Sequence, residues 1–577
     1  MRILLLVHAF NSLAQRLYCE LARLGHEVSV EFDISEAITL EAAARYCPHL
    51  VLAPFLKRAI PETIWRSVLS IVIHPGIPGD RGPSALDWAM AEGRQEWGVT
   101  ALQANGQWDA GDIWASVPFT LREGTKGSLY RREVADCAWE AVQQVLARMR
   151  DPYFRPLPQD DRDPGMKGRV HPPMRQCDRV IDWASDGSLA ILRKIRAADG
   201  SPGVLDRIDG QEVYLYDAHP EDVVRGRRPG ELLARRHGAI LRATRDGAVW
   251  IGHLQEKHPD GRGPKLPATC VLGTIAARLP ELAVPLASPD GPRTYRDIRY
   301  REKARVGYLR FDFYNGAMSA DQCLRLLEAF RHAQRRDTRI IVLEGGADFW
   351  SNGIHLHEIE AAESPADESW RNVEAMNDLV RAIIECDTHL TVAALRGNAA
   401  AGGVCLALAA DYVFARAGIV LNPHYRGMGN LHGSEYWTYL LPKRVGHARA
   451  QALSDSRLPL AALRAAELGL IDGCWAGEPA GFPAGVEAWA SRLAVRTDYA
   501  DRLAFKRRQR QEDEARKPLA QHRAEEMAQM ALNFYGFDPS YHVARYNFVH
   551  RVPYSRTPVH LARHRARGCP TDGQDRP

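Results

Sequence analysis

An imidazole at the end of an apolar run is the first side chain in this sequence with chemistry to offer. In SIVIHPGIPGDRGPSALDWAM, His74 follows a strand-like run and precedes a Gly/Pro-rich loop. That gives it the rigid support and open face a catalytic imidazole needs. In WDAGDIWASVPF, Asp109 stands in a turn before another apolar run. A carboxylate near an imidazole favours the charged ring and fixes its orientation, which suits proton transfer to a departing or attacking amine or thiol. The spacing also allows a plainer reading, in which His74 caps its loop and Asp109 makes an Asx-turn. A second set lies far downstream. GGADFWSNGIHL and then ALRGNAAAGGVCLALAADYVFA are glycine-rich. Glycines let backbone N–H groups approach a ligand, and two such groups converging make an oxyanion hole for a thioester carbonyl. The plain alternative is helix packing on small residues. NPHYRGMGNLHGSEYWTYLLPKRVG follows, with His424, Tyr425, His432 and Glu435 in one short stretch. A phenol and a carboxylate aimed into an apolar pocket can polarise and deprotonate a very small acyl group; the plain alternative is that they cap loops. Cys405 lies in an apolar helical run and reads as a packing cysteine rather than a nucleophile.

These groups need a scaffold. The 577 residues correspond to about three or four domains at ~150 residues each. With 45% hydrophobic and 25% charged residues the chain matches an ordinary folded protein, which excludes a disordered or fibrous architecture. It has no run of ~18 uncharged apolar residues, and the opening MRILLLVHAFNS is too short for a signal peptide, so no membrane association is expected. Ten cysteines without a CxxC pair argue against a metal site or disulfide framework and point to a reducing cytoplasm. A net charge of +4 with scattered arginines suits a phosphate-bearing small molecule better than nucleic acid.

The chain is expected to be α/β. Its opening, ILLLVHAFNSLAQRLYCELARLGHEVSVEF, shows strand, helix and strand in the order of an open parallel sheet, whose ligands sit at the carboxyl ends of the strands. No GxGxxG follows the first strand, so a dinucleotide site has little support. The Pro- and charge-rich DPYFRPLPQDDRDPGMKGRVHPPMRQ marks a boundary, and EVYLYDA, AILRAT and AVWIGHLQ read as strands of a small β-barrel. A new α/β pattern begins at VGYLRFDFYNGAMS, and RVPYSRTPVHLARHRARGCPTDGQDRP reads as an exposed basic tail. The expected domains are 1–165, 166–275 and 276–577.

IHPGIPGDRGPSALDWAMAEG and WGVTALQANGQWDAGDI resemble the folate-dependent formyltransferases, which include methionyl-tRNA formyltransferase. The strand-rich segment, with IDW, IRAADGSPG and GHLQ, is similar to the carboxyl-terminal domain of that transferase. By that resemblance His74 and Asp109 take the family's histidine and aspartate positions around a formyl-tetrahydrofolate. The family's asparagine two residues before the histidine is Val72 here. Losing one oxyanion donor costs ~3 kcal/mol, so His74, a backbone N–H or another module replaces it, the enzyme is slow, or the site is a relic.

Residues from about 305 to 480 resemble the crotonase, or enoyl-CoA hydratase/isomerase, superfamily. The resemblance implies an oxyanion hole from the N–H groups of Ile354 and Gly402. The two glutamates that hydratases use are matched by Cys405 and His424, so ordinary double-bond hydration is not expected. As a whole the chain resembles a nickel-iron hydrogenase maturation family that joins these two halves. That resemblance implies carbon monoxide synthesis: formyl transfer from 10-formyl-tetrahydrofolate to coenzyme A, then decarbonylation of formyl-CoA by Tyr425 and Glu435. Hydrogenase maturation proteins or the hydrogenase large subunit would be partners, and metals would reside on them. A tethered pantetheine arm would make each transfer intramolecular. Arg131 and Arg132 in SLYRREV, Arg551 in VHRVP, Gln15 and Asn315 are candidates for binding the carrier, the arginines being equally readable as solvated surface. The alternatives are a formyl-CoA hydrolase or other acyl-CoA lyase, and a CoA-binding scaffold without turnover.

Overall fold

The computed structural model describes residues 1–160, 166–226, 228–259, 261–287, 291–477 and 479–566. They divide into two compact units. The first comprises Met1–Ile181, Leu189–Leu205 and the chain from Pro553; the second comprises Asp182–Ser188 and Asp206–Val552.

The first unit is built on a six-stranded sheet. In spatial order its strands are Glu27–Phe32, Arg2–Val7, Leu50–Phe55, Ser70–His74, Glu96–Gln103 and Ile113–Thr120. The first four pair in parallel and the last two antiparallel. The parallel strands read as near-continuous apolar runs because both faces are covered, and Arg2–Val7 is buried from Ile3 onward. The helix Ser12–Arg23 starts where Asn11 accepts a hydrogen bond from the Ala14 N–H at 3.0 Å.

The tail expected to be exposed at the C-terminus is exposed over 551–556 but anchored between Thr557 and His564. Leu561, Ala562 and His564 are buried. The Val30 N–H donates to the Leu561 carbonyl at 3.0 Å, and the Phe32 N–H donates to Thr557 Oγ1 at 2.8 Å. His564 Nε2 lies 2.8 Å from Glu31 Oε2. The reason is the position of Glu27–Phe32 at the end of the sheet, where unpaired backbone groups need a cover. The remainder of the expected tail, 567–577, lies outside the described residues.

In the second unit the strand-rich segment forms a six-stranded sheet whose longest members, Gln211–Glu221 and Ala248–His258, pair antiparallel. It belongs to the same compact unit as the α/β region that follows. That region has a main sheet in the order Ile298–Lys303, Val306–Phe311, Ile340–Glu344, Leu390–Leu395, Tyr412–Arg416 and Gly473–Trp475, parallel after the first pair. A second, short sheet places Phe349–Ser351, Asn398–Ala400 and Val420–Asn422 side by side in parallel. These three strands share one carboxyl end, the place where open α/β sheets present their ligands. A large apolar core holds both sheets to the helices Ala320–Gln334 and Pro365–Ile384. No helix among the described residues is long and apolar enough to cross a membrane.

Candidate functional site

Each unit carries one of the constellations that the residue types suggest. In the first, His74 closes the strand Ser70–His74 and is buried. Its Nε2 is 2.9 Å from Asp80 Oδ1, and its Nδ1 is 3.5 Å from Asp109 Oδ1. The loop between His74 and Asp80 is held by Trp97 Nε1 donating to the Pro75 carbonyl at 2.8 Å and Thr100 Oγ1 donating to the Gly76 carbonyl at 2.7 Å. A Cβ on Gly76 would lie 2.4 Å from His74 Nε2 and 2.7 Å from Asp80 Oδ1, so only glycine lets these two groups meet. Asp109 is held in a left-handed conformation, φ 53°, with its Oδ2 accepting from the Gly82 N–H at 3.1 Å. Gln159 Nε2 donates to its carbonyl at 3.0 Å.

The ring therefore has a carboxylate at each nitrogen. At Nε2 the distance is that of a hydrogen bond, so a proton there is donated to Asp80. The Nδ1 contact is too long for a good hydrogen bond, so that edge is the less committed. From sequence alone Asp80, a carboxylate in a Gly/Pro loop, reads as a turn residue. Its burial is what separates it from one: Asp80 is 1% exposed. His171, stacked on Trp88 with ring centroids 5.4 Å apart, places Nε2 3.9 Å from Asp80 Oδ2. Val72 packs beside an apolar cluster that includes Leu4, Leu6, Val51 and Ala53, so its position supplies no side-chain donor.

The second constellation sits at the shared carboxyl end of the short sheet. Ile354, Gly402 and Tyr425 each follow one of its three parallel strands within a few residues. A Cβ on Gly353 would lie 3.5 Å from the Gly402 nitrogen, so the two glycine segments are in contact. The Ile354 and Gly402 N–H groups form no hydrogen bond among the described residues and remain available to a ligand oxygen. Gly403 abuts Ser351, where a Cβ would lie 2.1 Å from the Ser351 carbonyl oxygen, and Trp350 Nε1 donates to the Gly403 carbonyl at 2.8 Å.

Tyr425 and Glu435 are both buried and meet here. The Tyr425 Oη is 2.7 Å from Glu435 Oε2, 3.0 Å from the Ser434 carbonyl oxygen and 3.3 Å from Cys405 Sγ. A Cβ on Gly402 would lie 2.7 Å from Glu435 Cδ, which puts the carboxyl group directly against the predicted oxyanion position. Burial pushes the Glu435 carboxyl up to about 7, opposed by its hydrogen bond from Tyr425 and reinforced by the Glu526 carboxylate. Burial, with Cys405 and Glu435 beside it, holds the Tyr425 phenol well above its ordinary value, so the phenol stays protonated. The Cys405 thiol is likewise raised by burial and by Glu435, which makes it a neutral packing group. A carboxyl titrating near neutrality and a phenol locked as a donor are suited to general acid–base work on an acyl group. His432 stands outside this contact, its backbone N–H donating to Asn533 Oδ1 at 2.9 Å. His424 follows the strand Val420–Asn422, its N–H donating to the Asn422 carbonyl at 2.8 Å.

The carrier candidates are distributed over both units. Gln15 lies on the helix Ser12–Arg23, its Nε2 donating to the Phe10 carbonyl at 2.9 Å. Arg131 ends the helix Lys126–Arg131, and Arg132 links it to Glu133–Arg148. Asn315 is left-handed, φ 55°, with its carbonyl accepting from Asn352 Nδ2 at 2.8 Å. Arg551 is exposed and also left-handed, φ 54°.

Comparison with known proteins identifies two family segments. Residues 302–532 match the enoyl-CoA hydratase/isomerase family, and residues 173–260 match the formyl transferase C-terminal domain. The chain is 53% identical over 570 residues to the hydrogenase maturation factor HoxX of Bradyrhizobium diazoefficiens, covering 99% of this chain and 98% of that protein. It is similar to the crystal structure of HypX from Aquifex aeolicus in complex with tetrahydrofolic acid. That match has 46% identity and a TM-score of 0.94, and covers 98% of this chain and 99% of the other. A methionyl-tRNA formyltransferase of Carboxydothermus hydrogenoformans is 27% identical over 191 residues, 33% of this chain and 59% of that enzyme. With near-complete coverage at this identity, the chain belongs to the HoxX/HypX family of hydrogenase maturation factors, with formyltransferase-like and crotonase-like parts.

Proposed function

We propose that this protein makes carbon monoxide for the maturation of nickel-iron hydrogenase, in two steps. At the first centre the formyl group of 10-formyl-tetrahydrofolate passes to the thiol of coenzyme A; at the second, formyl-CoA is decarbonylated. The observation that carries the reading is the Tyr425–Glu435 pair lying against Gly402 in the crotonase-like part, where the resemblance puts Cys405 and His424 in the places of the hydratase glutamates. The tetrahydrofolic acid in the Aquifex aeolicus relative supports a folate donor, and the family resemblance suggests His74 and Asp109 as its site.

The chemistry balances without an oxidant or reductant. In the first step the formyl C–N bond breaks and a C–S bond forms, the thiol giving up a proton and the folate amine gaining one. His74, flanked by Asp80 and Asp109, can carry that proton. In the second step the Ile354 and Gly402 N–H groups hold the formyl oxygen. Ionised Glu435 takes the formyl proton as the C–S bond breaks, and carbon monoxide leaves. The same carboxyl then returns the proton to the thiolate, so coenzyme A is regenerated. Tyr425 remains the hydrogen-bond donor that aims the carboxylate. Gln15, Arg131, Arg132, Asn315 and Arg551 are proposed to bind coenzyme A, and the hydrogenase large subunit or its maturation proteins to receive the product.

The test supplies purified protein with coenzyme A and carbon-13 formyl-tetrahydrofolate and analyses the headspace. Labelled carbon monoxide is expected. Labelled formate with no carbon monoxide would mean a formyl-CoA hydrolase, and neither product would mean a binding scaffold. Gly402→Ala checks the geometry of the second step. Its methyl group would displace the Glu435 carboxyl, and a misplacement on the order of 1 Å costs ~10²-fold in rate. Carbon monoxide release from supplied formyl-CoA is expected to fall by that factor while formation of formyl-CoA continues.

A further inference from the structure

The Glu435 carboxyl reaches Gly402 only because its backbone adopts a disfavoured path. Glu435 and Tyr436 are consecutive left-handed residues, each at φ 59°, and neither is a glycine. The helix Trp437–Val445 that follows begins without a cap from its own N-cap side chain. Its N-terminal donors are satisfied instead by side chains of two other helices. Glu526, on Leu519–Tyr535, accepts from the Tyr436 and Thr438 N–H groups at 2.9 Å each and from Thr438 Oγ1 at 2.6 Å. Asn377, on Pro365–Ile384, accepts through Oδ1 from the Glu435 N–H at 2.8 Å and from Ser434 Oγ at 3.0 Å. Both are buried, Glu526 at 1% exposure and Asn377 at 0%.

From this geometry we infer that Glu526 and Asn377 are positioning residues that clamp the Glu435–Tyr436 backbone and so aim the Glu435 carboxyl at Gly402 and Tyr425. The inference deepens the decarbonylation reading above and rests on it. A helix cap alone could be an exposed serine or aspartate. Here a second carboxyl is buried close to the first, an arrangement whose cost is offset only where every acceptor is used. The groups facing Glu435 are Tyr425, Cys405, Cys323 and Glu526. Those facing Glu526 are Glu435, the Cys405 thiol, the Tyr436 phenol and N–H, Ser434 and Thr438, with His522 Nδ1 2.9 Å from Thr438 Oγ1. Burial raises the Glu526 carboxyl to about 7 as well, and once ionised it opposes ionisation of Glu435; removing that charge therefore eases ionisation of Glu435, whereas removing the Tyr425 hydroxyl opposes it.

The test measures carbon monoxide release from supplied formyl-CoA by the full-length chain across pH, with formation of formyl-CoA as the internal control. Glu526→Gln is expected to lower kcat by about 10- to 100-fold with little change in KM. It should also move the pH limb to lower pH, opposite to Tyr425→Phe, and spare formyl transfer. A kcat that falls only with the folded fraction, with the limb unmoved, would make Glu526 a cap and overturn the proposal. If Glu526→Gln does not fold, Asn377→Ser, which withdraws the acceptor from the Glu435 N–H and alters no charge, carries the same expected loss of kcat with the limb in place; wild-type kcat there overturns it. If the wild-type protein releases no carbon monoxide, the function reading fails. The clamp is then read without substrate, from the infrared carbonyl band of protonated Glu435, assigned by its loss in Glu435→Gln. Its titration midpoint should still fall in Glu526→Gln, and an unmoved midpoint would reject the clamp.

Discussion

Glu435→Gln is expected to abolish carbon monoxide release from supplied formyl-CoA, by ~10²–10⁴-fold, while formyl transfer to coenzyme A continues. The amide keeps the shape of the side chain and its place against Gly402, but it cannot take and return a proton. The pH dependence follows from the same group. Burial raises the Glu435 carboxyl to about 7, and the ionised form is the one that accepts the formyl proton, so activity should rise with pH through about 7. Tyr425→Phe removes the hydrogen bond that favours the carboxylate, and the rising limb should move to higher pH. A stability measurement checks the assignment independently of turnover. The folded protein holds the Glu435 proton to about 7, whereas the ordinary carboxyl value is 4.5. The folded state therefore binds more protons across that window, and stability falls as pH rises through it. Glu435→Gln should flatten that fall in denaturant titrations; an unchanged slope would sink the assignment.

The difference between Tyr425–Glu435 and its clamp shows what a sequence can carry. The pair lies within one quoted stretch, beside glycines that announce close backbone approach, so its chemistry is legible from residue types alone. Asn377 and Glu526 stand 58 and 90 residues from the backbone groups they hold. On their own helices an asparagine and a glutamate look like solvated polar residues, and only the packing of Pro365–Ile384 and Leu519–Tyr535 onto the site turns them inward. The same reason hides the fate of the C-terminus. A basic, Pro-containing segment reads as a tail, because nothing local says that the edge strand Glu27–Phe32 needs a cover. The alternation of apolar runs in the first unit was a stronger signal, since a buried parallel strand has to be apolar along its length. Arg2–Val7, Leu50–Phe55 and Ser70–His74 carry it. The antiparallel pair Glu96–Gln103 and Ile113–Thr120 depends instead on the direction of the connections, which apolarity does not encode.

His74→Ala should give the mirror image of Glu435→Gln: formation of formyl-CoA lost by ~10²–10⁴-fold, with decarbonylation of supplied formyl-CoA unchanged. Asp80 allows a finer test of why. It lies closer to the ring than Asp109, at 2.9 Å against 3.5 Å, and accepts from the ring edge that points away from the less committed nitrogen. Asp80→Asn keeps the size of the side chain, but its amide can present N–H where Nε2–H needs an acceptor. The ring must then turn, give up that bond, or move its proton from Nε2 to Nδ1 so that Nε2 accepts from the amide, and each outcome changes which nitrogen can carry the transferred proton. Formyl transfer should therefore fall by about the ~10²-fold that a misdirected proton donor costs, with little change in the KM for formyl-tetrahydrofolate, because Asp80 is buried behind the imidazole. Asp109→Asn should differ. That carboxylate flanks the less committed ring edge and is the more exposed of the two, at 14% of its side chain against 0% for Asp80, so KM and kcat should both change. Equal effects on KM from the two substitutions would mean that both carboxylates face the substrate, and that His74 is not the proton carrier between them.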